Sequence, residues 1–137
     1  MVVSSTIENS GNELVQKARL FRPPLMPFIV DNKQLQFQNA LKHIGFTVKL
    51  KPYIQRSDGS AKGDWDVGIT IDVMEMGKSV DTVILLSGDG DFDLLLKKIQ
   101  TDYGVSTEVY GVRALTANSL IDAASIYHRI EGDLLLV

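Results

Sequence analysis

The sequence predicts an α/β domain of three layers with a mainly parallel central sheet. Three observations carry that expectation. Apolar segments of strand length alternate with segments of helical spacing along the chain, the pattern that builds βαβ units. Val83, Ile84, Leu85 and Leu86 are too continuously apolar to have one wet face, so they read as a strand covered on both sides. That strand then passes through an acidic, glycine-rich turn, SGDGDFD, straight into a helical pattern, which sets carboxylates at the crevice where open α/β sheets bind ligands.

From the amino end, MVVSST suits a short strand, and ENSGNELVQKARLF suits a helix with Leu14, Ala18 and Phe21 inward, although Gly11 interrupts it. RPPLMP forbids a helix and most ladder pairing, so it is a connection, and PFIVD reads as a strand. Residues 32–44 place Leu35, Phe37, Ala40, Leu41 and Ile44 at helical spacing, with Gly45 as the C′ residue. FTVKLKPYI, residues 46–54, alternates apolar and basic positions as a half-exposed strand does, and QRSDGSAKGD is a turn-rich loop. Asp64 or a neighbour then caps a helix with apolar positions at Val67, Ile69, Ile71, Val73 and Met74. Beyond the central strand, Phe92, Leu95, Leu96 and Ile99 give a helix capped by Asp91 that runs to Tyr103 and ends at Gly104. VSTEVYGV is a further strand, and GVRALTANSL leads into a last helix with Thr116 or Asn118 as its cap.

At 137 residues the chain reads as one domain, residues 1–137, of which residues 1–27 follow their pattern least clearly. A hydrophobic share of 45% with 23% charged residues describes an ordered protein. No apolar run approaches the roughly 20 residues that span a bilayer. The first residues also lack the basic start and apolar centre of a signal peptide, so a cytoplasmic location and no membrane partner are expected. The absence of cysteine excludes disulfides and thiolate metal sites, and His43 and His128 are too few for a histidine-rich zinc centre. A bound metal is therefore expected to be a hard, oxygen-held ion, Mg2+ or Mn2+. The net charge of −3 gives no global attraction to nucleic acid. One local basic stretch, Lys49, Lys51, Arg56 and Lys62 against Asp58, suits either a phosphate-binding surface or a merely wet strand edge.

Two acidic constellations carry the chemistry. An Asp-Gly pair is a common turn former, and one aspartate at a helix start caps the backbone and suits the helix dipole. Asp89, Asp91 and Asp93 crowd three carboxylates into five positions, however, and only one of them can be the cap. Like charges that close repel unless a cation sits between them, so the turn reads as a metal or phosphate site. The second constellation, KGDWDVGITID, puts Asp66 in a first helical turn; Asp72, six residues on and about 240° around the helix, cannot share its face. The exit of the strand after Tyr103 supplies Arg113, Thr116, Asn118 and Ser119 at a helix start, which suits a phosphate or ordinary capping.

KGDWDVGITID (residues 62–72), VILLSGDGDFDLLL (residues 83–96) and VYGV followed by TANSLIDAA (residues 109–124) resemble the LabA-like NYN domain family, a branch of the PIN-like nucleases. The resemblance runs from about residue 28 to the end of the chain. It implies a PIN-like fold and a metal-dependent ribonuclease site made by carboxylates at the carboxyl ends of parallel strands. By that resemblance Asp66, Asp89 and Asp91 are the catalytic acids and hold Mg2+ or Mn2+, and Ser87 is the serine of the turn. Lys62, Arg113, Thr116, Asn118 and Ser119 are placed to bind substrate, expected to be single-stranded RNA, by a monomer or a homodimer. One departure stands out: the family opens with a strand ending in an aspartate, where MVVSSTIEN has serines. Either Asp31, in FIVDN, substitutes as a ligand or the site is one carboxylate short, as a truncated, divergent or wrongly read amino terminus would produce. A non-catalytic module that binds RNA or protein is the alternative. A haloacid-dehalogenase-like phosphatase is a further one, but its Asp-x-Asp nucleophile should follow a strand, whereas Asp64 and Asp66 follow a loop.

Overall fold

The computed structural model describes residues 2–7, 14–22, 32–50, 54–55, 61–62 and 66–135. Its elements are β1 (Val2–Ile7), β2 (Leu14–Arg22), α1 (Asn32–Ile44), β3 (Phe46–Leu50), β4 (Ile54–Gln55), β5 (Ala61–Lys62), α2 (Asp66–Met76), β6 (Thr82–Leu86), α3 (Asp93–Tyr103), β7 (Ser106–Gly111), α4 (Asn118–Ala123) and β8 (Ile126–Arg129). The RPPLMP connection, the PFIVD strand with Asp31, most of the loop before α2, and Asp64 lie outside the described residues.

Six strands form one mixed sheet in the order β3-β2-β1-β6-β7-β8, and β4 and β5 make a separate two-stranded ribbon. β2 pairs parallel with β3, β6 with β7, and β7 with β8, whereas β1 runs antiparallel to both neighbours. Three of the five pairings are thus parallel, and helices flank the sheet, as the sequence predicts. The expected helix over the LVQKARLF segment is instead strand β2. Its residues 18–22 pair with residues 46–50 of β3, and residues 14–19 pair with β1, so ladder bonds on both sides override a helical spacing. Of the strand expected over residues 46–54, β3 covers residues 46–50 and β4 starts at residue 54.

Periodicity sets the core. Val83 and Leu85 of β6 and Val109 of β7 point to one face, where they meet Ile69 and Val73 of α2, Phe92, Leu95, Leu96 and Ile99 at and in α3, and Leu120 and Ala123 of α4. The other face of β6, through Thr82, Ile84 and Leu86, is half-buried and less closed than its apolar run suggests. Val67 and Ile71 of α2 stay exposed, because its core stripe falls on Ile69 and Val73. Gly45 and Gly104 end α1 and α3 at positive φ, as expected, and the Gly104 N–H returns to the Gln100 carbonyl at 3.1 Å. β8 went unforeseen, since IYHR is too short and mixed to announce a strand; parallel pairing with β7 makes it one.

A buried polar knot ties α3, β7 and the end of α4. The Gln100 Nε2 donates to Thr107 Oγ1 at 2.6 Å and to the Ala123 carbonyl at 2.7 Å. The Ser125 N–H donates to the same Thr107 Oγ1 at 3.1 Å, and the Thr107 N–H donates to Ser125 Oγ. Thr107 is fully buried, so the three bonds it takes part in satisfy groups that water cannot reach. On the other side, Lys49 of β3 reaches the buried Asp72 of α2 at 2.8 Å. Asp72 therefore ties α2 to β3.

Candidate metal centre

The acidic turn leaves the carboxyl end of β6 and is shaped by its own side chains. The Asp89 N–H donates to Ser87 Oγ at 3.1 Å, and the Asp91 N–H donates to Asp89 Oδ1 at 2.9 Å. Asp89 therefore caps a short 3-10 turn, Gly90–Phe92, that leads into α3. The cap is Asp89 and not Asp91: the extra 3-10 turn moves the start of α3 to Asp93, and Phe92 before it offers no side-chain cap.

The segment after β7 packs onto this turn. The Ala117 N–H donates to the Gly88 carbonyl at 3.0 Å. A Cβ added at Gly88 would lie 1.9 Å from the Leu115 carbonyl oxygen, so only glycine fits there without displacing backbone. A Cβ at Gly90 would come within 2.9 Å of Ser119 Oγ, which places Ser119 directly beside the acids.

Asp66, at the start of α2, completes the group. Asp66, Asp89 and Asp91 can each present one oxygen such that all three lie within 4.8 Å of one another. Six ligands about 2.1 Å from a Mg2+ ion have neighbouring oxygens about 3 Å apart and opposite ones about 4.2 Å apart. The spacing fits a hard divalent ion after a small closure, and Asp89 and Asp91 are exposed enough to make it. The donor set, three carboxylates with no sulfur or imidazole, suits such an ion. Asp93 does not join; it pairs with Lys97 one turn on, at 3.4 Å.

The other expected site residues fall in different places. Ser87 lies in the turn itself. Arg113 is exposed and donates to Asn118 Oδ1 at 2.7 Å, so neither Asn118 nor Thr116 caps α4; Ala117 holds that position without a side-chain bond. Thr116 is buried, its hydroxyl donating to the Val112 carbonyl at 2.8 Å, with Tyr127 Oη 3.4 Å away. Lys62 stands in β5, paired with Ile54, and Asp31 lies outside the described residues. A groove of about 490 Å³, lined by Thr70, Met74, Asp91, Leu94, Leu95 and Lys98, opens beside the acids between α2 and α3. Sequence reading passed over it, although Asp91, Leu94 and Lys98 stand at the three- and four-residue spacing that marks one helical face.

Comparison with known proteins agrees with the fold. The chain is 32% identical over 73 residues to the low amplitude and bright protein LabA of Synechococcus elongatus, covering 49% of this chain and 39% of that protein. It thus spans about two fifths of the length of that curated relative. A crystal structure of a protein of unknown function from Vibrio parahaemolyticus matches with a TM-score of 0.78 and 52% identity, over 88% of this chain and 72% of the other. The family model for the NYN domain matches residues 5–131. Fold, acidic turn and matched span together make the chain a LabA-like member of the NYN domain family.

Proposed function

We propose that the chain is a nuclease that uses Mg2+ or Mn2+ to hydrolyse phosphodiester bonds of single-stranded RNA. The observation that carries this reading is the convergence of Asp66, Asp89 and Asp91 from two separate segments onto one point. Family membership supports it. When bound, the ion supplies Lewis acidity toward a phosphate and a lowered pKa for water. The three carboxylates hold and orient it, and the capping bond from Asp91 N–H fixes Asp89 at an angle that solvent alone would not maintain. The Ser87 hydroxyl accepts from Asp89 N–H and retains its own proton for a phosphate oxygen. Arg113 spends one guanidinium donor on Asn118 and has others for a flanking phosphate. Ser119 extends that surface, Thr116 packs against Gly88 of the turn, and the proposal adds Lys62 as a phosphate contact and Asp31 as a fourth carboxylate.

A second reading is favoured by β1. This strand occupies the place beside β6, runs antiparallel to it, and contributes no acid: its residues are VVSSTI, with Val2 opposite Leu85 at the edge nearest the acidic turn. A three-carboxylate centre would then bind RNA or protein without cutting it. One experiment decides. Labelled single-stranded RNA is incubated with the protein and with Asp89→Asn in Mn2+; cleavage by the first and loss of at least about 100-fold in the second is expected. Binding with no cleavage by the unmodified chain selects the second reading.

A further inference from the structure

We propose that the groove between α2 and α3 is the subsite for the nucleotide next to the cleaved bond, with Leu94 and Met74 supporting its base and Lys98 its outer phosphate. This inference rests on the nuclease reading above and adds where the substrate lies. Each wall of the groove is a helix face that starts at an acid of the candidate centre. On α2, Asp66, Thr70 and Met74 follow one another at four-residue intervals; on the other wall, Asp91 of the 3-10 turn is followed by Leu94, Leu95 and Lys98 of α3. The groove is therefore continuous with the carboxylate centre and leads away from it. From Asp91 to Lys98 the rise is about 11 Å.

Its lining matches a nucleotide in order. The acidic end suits a phosphate only through a cation. The middle is apolar: Leu94 is 72% exposed, a leucine held out in water at the mouth of a groove, and Met74 supplies an adaptable wall. The far end carries Lys98, whose ammonium meets Asp102 at 2.7 Å in the open. An exposed pair of this kind exchanges for a phosphate at little cost. At about 490 Å³ the space is of small-ligand size. The succession of cation-holding, apolar and cationic zones favours a nucleotide over an apolar peptide, which would leave Lys98 and the acids without a role.

The test compares the unmodified chain with Leu94→Ser, Lys98→Gln and a control, Leu134→Ser, exposed on another segment. Binding of a labelled eight-nucleotide RNA is read by anisotropy in Ca2+, and KM and kcat are read in Mn2+. Leu94→Ser and Lys98→Gln should each weaken binding roughly five- to tenfold, with the loss in KM, while the control binds as before. An abasic nucleotide beside the cleaved bond should weaken binding to the unmodified chain and add little to the loss in Leu94→Ser. RNA bound and cleaved equally well by all four proteins would overturn the subsite and leave the nuclease standing. RNA neither bound nor cleaved by the unmodified chain would overturn both.

Discussion

Two side chains and one missing side chain decide the acidic turn. At Gly88 a methyl group would meet the Leu115 carbonyl at 1.9 Å, and both partners are backbone, so nothing can rotate away. Gly88→Ala should cost about 2 to 3 kcal/mol, seen as a loss of roughly 5–10 °C in Tm, and should weaken metal binding by displacing the turn. Asp89→Asn differs in kind. An asparagine Oδ1 still accepts the Asp91 N–H, so calorimetry should find Tm within about 3 °C of the unmodified chain while metal binding falls. Crowding beyond what capping uses singled out Asp89, Asp91 and Asp93, and the family resemblance added Asp66; the structure brings oxygens of Asp66, Asp89 and Asp91 together and leaves Asp93 with Lys97. Sequence reading misassigned the cap by two residues, since a 3-10 turn inserted before a helix leaves no mark in apolar spacing. It also read Thr116 by its local company of polar residues; the partner that accompanies its burial, Tyr127, is eleven positions away, and no local pattern points to it.

Elements were legible where their own periodicity agrees with their neighbours. β6, α3 and β7 are of that kind: Leu95, Leu96 and Ile99 face Val83, Leu85 and Val109, and the glycine that ends α3 stands where the pattern stops. β2 is the opposite case, because Leu14, Ala18 and Phe21 satisfy a helix until two neighbouring strands offer ladder bonds. Tertiary context settles such segments, and a single sequence carries little of it. The knot around Gln100 is likewise invisible beforehand, its members lying 7 and 23 residues apart. Gln100→Ala removes two bonds and leaves the buried Thr107 hydroxyl and the Ala123 carbonyl each one donor short. Denaturant unfolding should show a loss of about 2 kcal/mol, larger than for an exposed glutamine, and hydrogen exchange should accelerate first in α4.

At the level of the molecule, the candidate centre joins segments distant in the chain: α2 through Asp66 and the turn after β6 through Asp89 and Asp91. A cation held there crosslinks them only in the folded state, so binding is linked to stability. Mn2+ at ten times its dissociation constant should raise stability by about 1.4 kcal/mol, chelation should reverse the gain, and Asp66→Ala should abolish it; an unchanged Tm across the titration would count against the centre. Among the described residues no helix is long and apolar enough to cross a membrane. The sheet has a further consequence at this scale. Its outermost strands, β3 and β8, are five and four residues long, and each carries a cation, Lys49 and Arg129. Among the described residues these ladders of four and five positions offer another chain little to pair with, and their cations are already engaged by Asp72 and Glu131, so it is the shortness of the outer strands that limits growth along this sheet.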